Sequence, residues 1–403
     1  MNKIATTYKN AFSGLSPSTW WLSFVMLVNR SGTMVVPFMT LYLTQSMHVS
    51  IGKAGIVMSL FGAGAICGAL IGGKLTDKYN FYFIQVFALI GGGILFLVLG
   101  QMRSYTTICI FTFLLSLVNE SFRPANSTAI AHYSKEENRT RSYSLNRLAI
   151  NLGWAVGGTF GGIVASWNYH FLFVIDGLTN IGAAFVLIGV LAPSRNKATQ
   201  RIHEKNVVGK KESAYRDTPY LVFVFLTILF SYSFFQLFTT LPVYYVKKLH
   251  LSPAYVGIIM AMNGLIIAFL EMVIIYNLEG KRKNLQYITV GVLLTGTSFI
   301  FFNVLPGAGG LAILAMLTVT LGEILSMPFM NSFWVSRTTQ NNRGQYAGLY
   351  SISWSAAQVL GPGTGAEIAQ YYGFATLWWI IGGVCIVAAI GYKTLDLYLD
   401  KQN

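Results

Sequence analysis

Charged side chains lie inside two segments of this sequence that are otherwise apolar enough for the interior of a lipid bilayer. Residues 105–131 contain Glu120 and Arg123, and residues 309–336 contain Glu323. A charge at bilayer depth costs about 3 kcal/mol or more, so such a residue normally faces a cavity or the interior of a helix bundle. A carboxyl group in such a place can take up and release a proton when its surroundings change. Proton transfer is therefore the chemistry that these positions predict.

We expect Glu323 to be the main proton-carrying group and Glu120 to be the second. Arg30, inside the first long apolar segment, and Arg123 are the counter-charges in this hypothesis. The alternative for Glu323 is a static ion pair with Arg30 or Arg123. Because Glu120 and Arg123 are three residues apart and share one helix face, they could equally neutralise each other.

The composition predicts that these residues belong to a polytopic membrane protein. Of the 403 residues, 54% are hydrophobic and 10% are charged, whereas a soluble domain is about 25% charged. Apolar runs of about 20 residues, long enough to cross about 30 Å of hydrocarbon as a helix, recur along the chain. The runs are continuous rather than alternating, so they predict helices and not a barrel. The predicted spans are 20–44, 53–73, 81–101, 105–131, 142–166, 170–192, 219–246, 253–277, 285–305, 309–336, 344–371 and 374–392.

The basic residues are unevenly divided between the two sides of these spans. With the N-terminus inside, 21 Lys and Arg residues fall on the cytoplasmic side and only four fall outside. Because basic loops remain on the cytoplasmic side, we predict an integral plasma membrane protein (the cytoplasmic or inner membrane) with both termini in the cytoplasm. The net charge of +14 then reflects membrane orientation. We expect no binding to nucleic acid.

Further polar residues within the spans complete a candidate pocket and a candidate gate. Arg147 and Glu271 lie toward the cytoplasmic ends of their spans, and we expect inner-gate ion pairs or contact with the membrane surface there. Pockets commonly combine apolar walls with a few polar groups, although an aromatic side chain can equally serve packing. The neutral pocket candidates are Tyr42, Asn119, Asn151, Trp154, Gln236, Asn263, Asn331, Trp354 and Gln358.

A motif follows the second predicted span. In the run Gly73–Asn80, Gly73, Leu75, Asp77 and Lys78 have the order glycine, leucine, aspartate and basic residue at fixed spacing. This run resembles the loop between the second and third helices of the major facilitator superfamily. The resemblance implies that Gly73, Asp77 and Lys78 belong to the inner gate.

A glycine-rich run lies in the fifth predicted span. Gly153, Gly157 and Gly161 are spaced by four residues, and the run is similar to the motif of the fifth helix in the drug/proton antiporter branch of that superfamily. Glycines at this spacing remove side-chain ridges from one helix face. We expect this face to meet the other half of the protein, with plain helix packing as the equal alternative.

The second half of the sequence repeats the first. Pro124 recurs as Pro328 and Gly161 recurs as Gly365, both 204 residues later. A degenerate copy of the loop motif stands at 277–283. The superfamily resemblance implies twelve transmembrane helices in two six-helix bundles related by a pseudo-two-fold axis, with a substrate site near mid-depth. The predicted parts are a bundle at 1–192, a cytoplasmic linker at 193–218 and a second bundle at 219–403.

These features favour a secondary transporter over other classes of protein. The sequence has no nucleotide-binding loop for a pump, and its five histidines are scattered, so we expect neither an enzyme nor a metal or other cofactor. We expect a monomeric, proton-coupled carrier of a small molecule, and the antiporter resemblance implies export of amphipathic compounds. The alternative is proton-driven uptake of a peptide, a sugar or a similar solute. A membrane-embedded sensor or enzyme without transport is the alternative of another class.

Overall fold

The computed structural model describes residues 3–49, 51–191, 213–251, 253–307, 309–339 and 341–401. The regular elements in these ranges are helices, which confirms the predicted all-α class. Of the predicted linker, residues 193–212 lie outside the described residues. The boundaries predicted for the linker and for the two bundles therefore stay predictions.

Within the described ranges, twelve long helices form two six-helix bundles, as predicted, and three of these helices have two segments. A short helix, Lys3–Phe12, precedes them. The long helices are α1 (Pro17–Ser31 and Val35–Leu41), α2 (Ile51–Tyr79), α3 (Phe81–Leu99), α4 (Tyr105–Glu120 and Phe122–Tyr133), α5 (Arg139–Trp167), α6 (Tyr169–Val190), α7 (Thr218–Phe235 and Thr240–Lys247), α8 (Pro253–Leu278), α9 (Asn284–Val304), α10 (Gly309–Ser336), α11 (Arg343–Tyr371) and α12 (Gly373–Asp400).

Among the described residues, eleven of these helices are long and apolar enough to cross a membrane. The remaining one, α11, has 29 residues, which is also long enough, but it is rich in glycine, serine and glutamine. It packs against α2, α4 and α7. Its polar residues can therefore face protein instead of lipid, as is common at helix contacts within membranes.

The break in α1 is capped from α6. The carboxylate of Asp176 accepts hydrogen bonds from the backbone N–H groups of Met34 and Val35, each at 2.9 Å. Beside this cap, the amide of Asn29 donates to Asn180 at 2.8 Å. The first N–H groups of a helix segment have no partner within the helix, so the cap stabilises a backbone interruption at membrane depth.

The glycine face of α5 packs against α1 of the same half. A Cβ atom added at Gly153 would lie 2.5 Å from the Cβ atom of Arg30, and one at Gly161 would lie 3.0 Å from the ring of Phe38. The expectation that this face meets the other half was therefore wrong. Glycine is needed because the two helices of one bundle approach closely beside the break in α1, whereas α5 reaches the second half nearer its start.

Both described ends of the chain lie at one end of the bundle, because the chain crosses it twelve times. This end carries the lysine- and arginine-containing loops α4–α5, α8–α9 and α10–α11 and the lysines in the last turns of α2, and we call it the basic end. The short helix Lys3–Phe12 lies there against both halves. Ala11 packs with Leu145 of α5 and Met272 of α8, and Arg141 of α5 donates to the carbonyl oxygen of Asn10 at 3.2 Å.

Candidate transport site and interhalf ion pairs

Arg147 of α5 joins the two halves through two carboxylates of the second half. Its Nη1 contacts Oε2 of Glu271 on α8, and its Nη2 lies 2.6 Å from Oε2 of Glu323 on α10. Both glutamates are buried. We call these three residues the Arg147 cluster. Two carboxylates that share one guanidinium carry one net negative charge when both are ionised, so the cluster can accept a proton and become neutral.

Glu323 also has a neutral hydrogen-bonding partner. Its Oε1 accepts a hydrogen bond from the side-chain amide of Asn263 on α8 at 2.8 Å. The same amide nitrogen lies 2.9 Å from Oγ1 of Thr320. An amide group offers both a donor and an acceptor, so rotation of Asn263 would let it serve either an ionised or a protonated carboxyl group.

The predicted counter-charge of Glu323 was wrong. We expected Arg30 or Arg123, but the guanidinium in contact with Glu323 is that of Arg147. The reason is the helix arrangement, because α5 packs against both α8 and α10. The ion pair of Arg147 with Glu271, which was one of the two alternatives at the inner gate, is present.

Asp77 at the end of α2 caps the start of α11 in the other half. Its Oδ1 accepts a hydrogen bond from the N–H of Gly344 at 2.6 Å, and its Oδ2 accepts one from Gln345 at 2.9 Å. A negative charge at a helix N-terminus is favourable, and it satisfies N–H groups that lack partners in the helix. The backbones approach so closely that a Cβ atom added at Gly344 would lie 2.3 Å from the carbonyl oxygen of Gly73.

Glu279, after the end of α8, makes the matching contact with α5 of the first half. Its Oε1 accepts a hydrogen bond from the N–H of Thr140 at 2.7 Å, and its Oε2 accepts one from Nε of Arg141 at 2.9 Å. The pseudo-two-fold relation therefore places a carboxylate at the start of both α5 and α11. The sequence had shown the degenerate motif copy but not this role. Its position relative to Asp77 in the internal repeat was the signal that could have found it.

We expect Asp77→Asn to slow transport. The amide keeps the shape of the side chain but loses its charge, and a hydrogen bond to a charged group contributes about 1.5–3 kcal/mol. The weaker contact would lower the population of the state in which the basic end is closed, and transport requires that state. The measurement is turnover after reconstitution into liposomes.

Lys78→Gln is the matched control for that prediction. We call the contact between the two halves at the basic end the joint. The Lys78 ammonium group lies 4.9 Å from the centroid of the neighbouring Tyr79 ring, which belongs to the same half. Gly73 and Asp77 contact Gly344 of the other half, whereas this contact of Lys78 stays within its own half. The motif had implied a gate role for all three residues. We therefore expect Lys78→Gln to leave turnover close to wild type. Unchanged turnover in Asp77→Asn would contradict a gating role for that residue.

A cavity lies between the halves near mid-depth, beside the break in α1. The room inside it for the centre of a water-sized group is about 30 Å³, and about 490 Å³ is reached only when the open solvent at its mouth is counted. Among the described residues that line it, Gln358 of α11 comes from the second half, and the others belong to the first half. The predicted pocket or counter-charge residues that line it are Arg30, Asn119, Glu120, Arg123, Trp154 and Gln358. Its apolar wall includes Val36, Phe61 and Phe96.

The charged groups of this cavity are unequally paired. Nε of Arg123 lies 2.9 Å from Oε2 of Glu120, one helix turn away on α4. The two atoms do not have hydrogen-bond geometry, so the contact is an ion pair only. This is the mutual neutralisation that the sequence left open. Arg30 differs, because among the described residues its side chain forms no ion pair and no hydrogen bond.

Two aromatic pocket candidates pack among other rings. The ring centroid of Tyr42 lies 5.1 Å from that of Phe173 on α6, and Tyr42 is buried. The ring centroid of Trp354 on α11 lies 5.6 Å from that of Phe234 on α7. Both contacts join helices of the same half, which is the packing alternative for an aromatic residue.

The remaining polar candidates have other surroundings. Asn263 lies in contact with Glu323, as described above. Gln236 follows the first segment of α7 and donates to the carbonyl oxygen of Gly361 at 2.9 Å. Asn331 donates to the carbonyl oxygen of the preceding turn in α10 at 3.0 Å. The side-chain nitrogen of Asn151 is buried without a hydrogen-bond partner among the described residues.

Comparison with known families agrees with the fold. A family model described as Major Facilitator Superfamily matches residues 19–362. The chain belongs to this superfamily. It is therefore a multi-pass membrane protein of a transporter family, with the two bundles and twelve helices described above.

Relatives of similar length include transporters with different printed descriptions. The uncharacterized MFS-type transporter YqjV of Bacillus subtilis is 23% identical, over 96% of this chain and 97% of the relative. A Na(+), Li(+), K(+)/H(+) antiporter of Planococcus maritimus is 22% identical, over 93% of this chain and 95% of the relative. Multidrug resistance protein 2 of Bacillus subtilis is 19% identical, over 92% of each chain.

Solved structures share the fold at low sequence identity. The proton:xylose symporter XylE, bound to 6-bromo-6-deoxy-D-glucose, has a TM-score of 0.73 and 15% identity, covering 93% of this chain and 94% of that chain. A bacterial homologue of the iron transporter ferroportin in an outward-facing state has a TM-score of 0.73 and 14% identity, covering 94% of this chain and 100% of that chain. Both likenesses concern the fold alone.

Proposed function

We propose that this superfamily member is a proton-coupled secondary transporter that exports small amphipathic compounds in exchange for protons. Alternating access requires a substrate cavity between two halves. It also requires contacts that close one end of the cavity and that change in strength when the transporter binds a proton or a substrate. The cavity near mid-depth supports the first requirement, because Gln358 of the second half lies beside the first-half residues that line it. The interhalf ion pairs support the second.

The observation that carries the proposal is the sharing of Arg147 by two carboxylates across the joint. A proton on Glu323 would remove its charge and weaken the link between α5 and α10, while Glu271 would keep its ion pair. Loss of one ionic link would make the basic end easier to open. In this scheme Glu323 carries the coupled proton. The role of Glu120 as a second proton site remains a prediction.

This arrangement favours exchange over cotransport. A carrier whose closure is weakened by a proton alone can reorient with that proton and without substrate, which an exchanger requires. A strict cotransporter must prevent that step. The relatives described as an antiporter and as a multidrug resistance protein agree with this direction at 22% and 19% identity.

The proposed orientation of the protein in the membrane rests on the distribution of its basic residues. Lysines and arginines concentrate at the basic end, and such loops remain in the cytoplasm. We therefore assign both termini to the cytoplasmic side of the plasma membrane. In this orientation Asp77, Glu279 and the Arg147 cluster join the halves on the cytoplasmic side of the central cavity, so proton entry on Glu323 would favour opening toward the cytoplasm.

The test is substrate-dependent proton movement in proteoliposomes that contain a pH-sensitive dye. An inward gradient of each compound is imposed without a pH gradient, using lipophilic cations, organic acids, peptides and sugars, with protein-free liposomes as the control. We expect internal alkalinisation by at least one amphipathic compound, because protons leave as the compound enters. Internal acidification would mean cotransport and would overturn the proposed exchange. Compound uptake without any proton signal would remove the coupling role of Glu323.

A further inference from the structure

The Arg30 side chain is buried beside the central cavity and makes no direct ion pair, although Glu120 lies near enough to interact with it electrostatically. It is 8% exposed, and among the described residues it forms no ion pair and no hydrogen bond. It stands in the last turn before the break in α1, and its Cβ atom packs against Gly153 of α5. The backbone around Arg30 is therefore closely packed, and Arg30 is one of the residues that line the cavity.

The other charged groups at this cavity are already engaged. Glu120 lies 2.9 Å from Arg123, and the two oxygens of Asp176 accept backbone N–H groups at the break in α1. A buried charge is normally paired or hydrogen-bonded, because an isolated one loses its hydration without compensation. The cavity therefore has two guanidinium groups and two carboxylates, and Arg30 is the charged group among them without a direct partner in the described residues.

We propose that Arg30 binds an anionic oxygen group of the transported compound, so that the substrate is an amphipathic organic anion. A guanidinium group presents several N–H donors in a plane, which matches a carboxylate, a sulfonate or a phosphate ester. The apolar part of the compound would contact Phe61, Phe96 and Trp154, which line the same cavity. This inference rests on the proposed function, because it takes the cavity to be the transport site.

A cation fits this cavity less well than an anion. Its positive charge would approach two guanidinium groups, those of Arg30 and Arg123, and would find only Glu120 as a carboxylate without a backbone partner. An anion would instead meet an unpaired guanidinium group. Asn119 of the first half and Gln358 of the second half also line the cavity, and each side chain offers neutral hydrogen bonds.

The first test compares probes that share a benzyl group and differ in charge. Purified protein in detergent is heated with phenylmethanesulfonate, phenylacetate, benzyl phosphate, benzyltrimethylammonium or benzyl alcohol, and the midpoint of unfolding is followed against probe concentration. A ligand that binds only the folded protein raises this midpoint. We expect at least one of the three anions to stabilise the protein. The anion that raises the midpoint most identifies whether a sulfonate, a carboxylate or a phosphate is preferred. Stabilisation by the cation or the alcohol but by none of the anions would overturn the inference.

The second test assigns the effect to Arg30. Arg30→Gln should weaken the apparent affinity for the preferred anion about tenfold or more, the size expected for loss of a charge-assisted hydrogen bond. Arg30→Lys should recover part of the affinity. Arg103→Gln, which removes an exposed arginine from the loop before α4, should change nothing. Equal anion affinity in wild type and Arg30→Gln would refute the assignment.

Binding and proton coupling can fail separately in these experiments. Anion stabilisation that depends on Arg30, without a proton signal in liposomes, would support the anion site and contradict the proposed exchange. Proton exchange driven only by lipophilic cations would support the exchange and contradict the anion site. If Arg30→Gln does not fold, the comparison of charged probes on the wild-type protein still decides the substrate class.

Discussion

Glu323→Gln should abolish transport driven by a proton gradient while leaving exchange of substrate across the membrane. The amide has nearly the shape of the carboxyl group but cannot carry a proton, and it removes one of the two ionic links to Arg147. The remaining pair of Arg147 with Glu271 is neutral overall, so the variant resembles the proton-loaded cluster. The measurement is uphill accumulation in proteoliposomes under an imposed pH gradient, followed by exchange of labelled against unlabelled substrate at equal pH.

Glu271→Gln is the matched control for that experiment. It removes the other carboxylate from the same guanidinium group, yet it leaves Glu323 with both Arg147 and Asn263. We expect this variant to retain proton-driven accumulation at a changed rate. Wild-type uphill accumulation by Glu323→Gln would refute Glu323 as the proton site. Loss of coupling in Glu271→Gln alone would move the assignment to Glu271.

Local signals in the sequence were sufficient for the helices and the general place of the cavity. The apolar runs predicted twelve helices, since a run within lipid must satisfy its backbone groups in helical hydrogen bonds. The superfamily resemblance implied that these helices form two bundles. Charges within such runs must face protein or water, which is why Arg30, Glu120 and Arg123 were predictable as cavity residues. The gate role of Asp77 was instead implied by the resemblance of its motif to the superfamily loop.

The partners of the charged residues could not be predicted from local sequence patterns, because they depend on how the helices pack. Whether Glu323 meets Arg147 or Arg30 is decided by how α5 and α10 are rotated and where they cross, and a change of one residue turns a helix face by about 100°. The break in α1 likewise depends on Asp176, which is 142 residues from Met34 in the sequence. Tyr42 and Trp354 were indistinguishable from pocket residues, because aromatic side chains serve both packing and binding.

Arg147→Gln should destabilise the protein and open the basic end. It would leave Glu271 and Glu323 buried together without their shared cation, and breaking a buried ion pair costs about 3–5 kcal/mol. The expected results are a lower midpoint of thermal unfolding in detergent and faster maleimide labelling of Ser332→Cys, introduced in a protein without its three native cysteines. Ser332 reports on the joint because it is buried and its hydroxyl group lies 2.7 Å from that of Thr140 in the other half.

The triple variant Arg147→Gln, Glu271→Gln and Glu323→Gln separates the loss of a link from the burial of unpaired charge. Replacing a whole buried ionic cluster by neutral groups is often neutral for stability, so the triple variant should regain most of the unfolding midpoint while Ser332→Cys stays readily labelled. Arg337→Gln is the control, because Arg337 pairs with Asp217 inside the second half at 2.7 Å. Slow labelling in the triple variant would show that the ionic links do not hold the halves together, and the proton-controlled closure would then lose its basis.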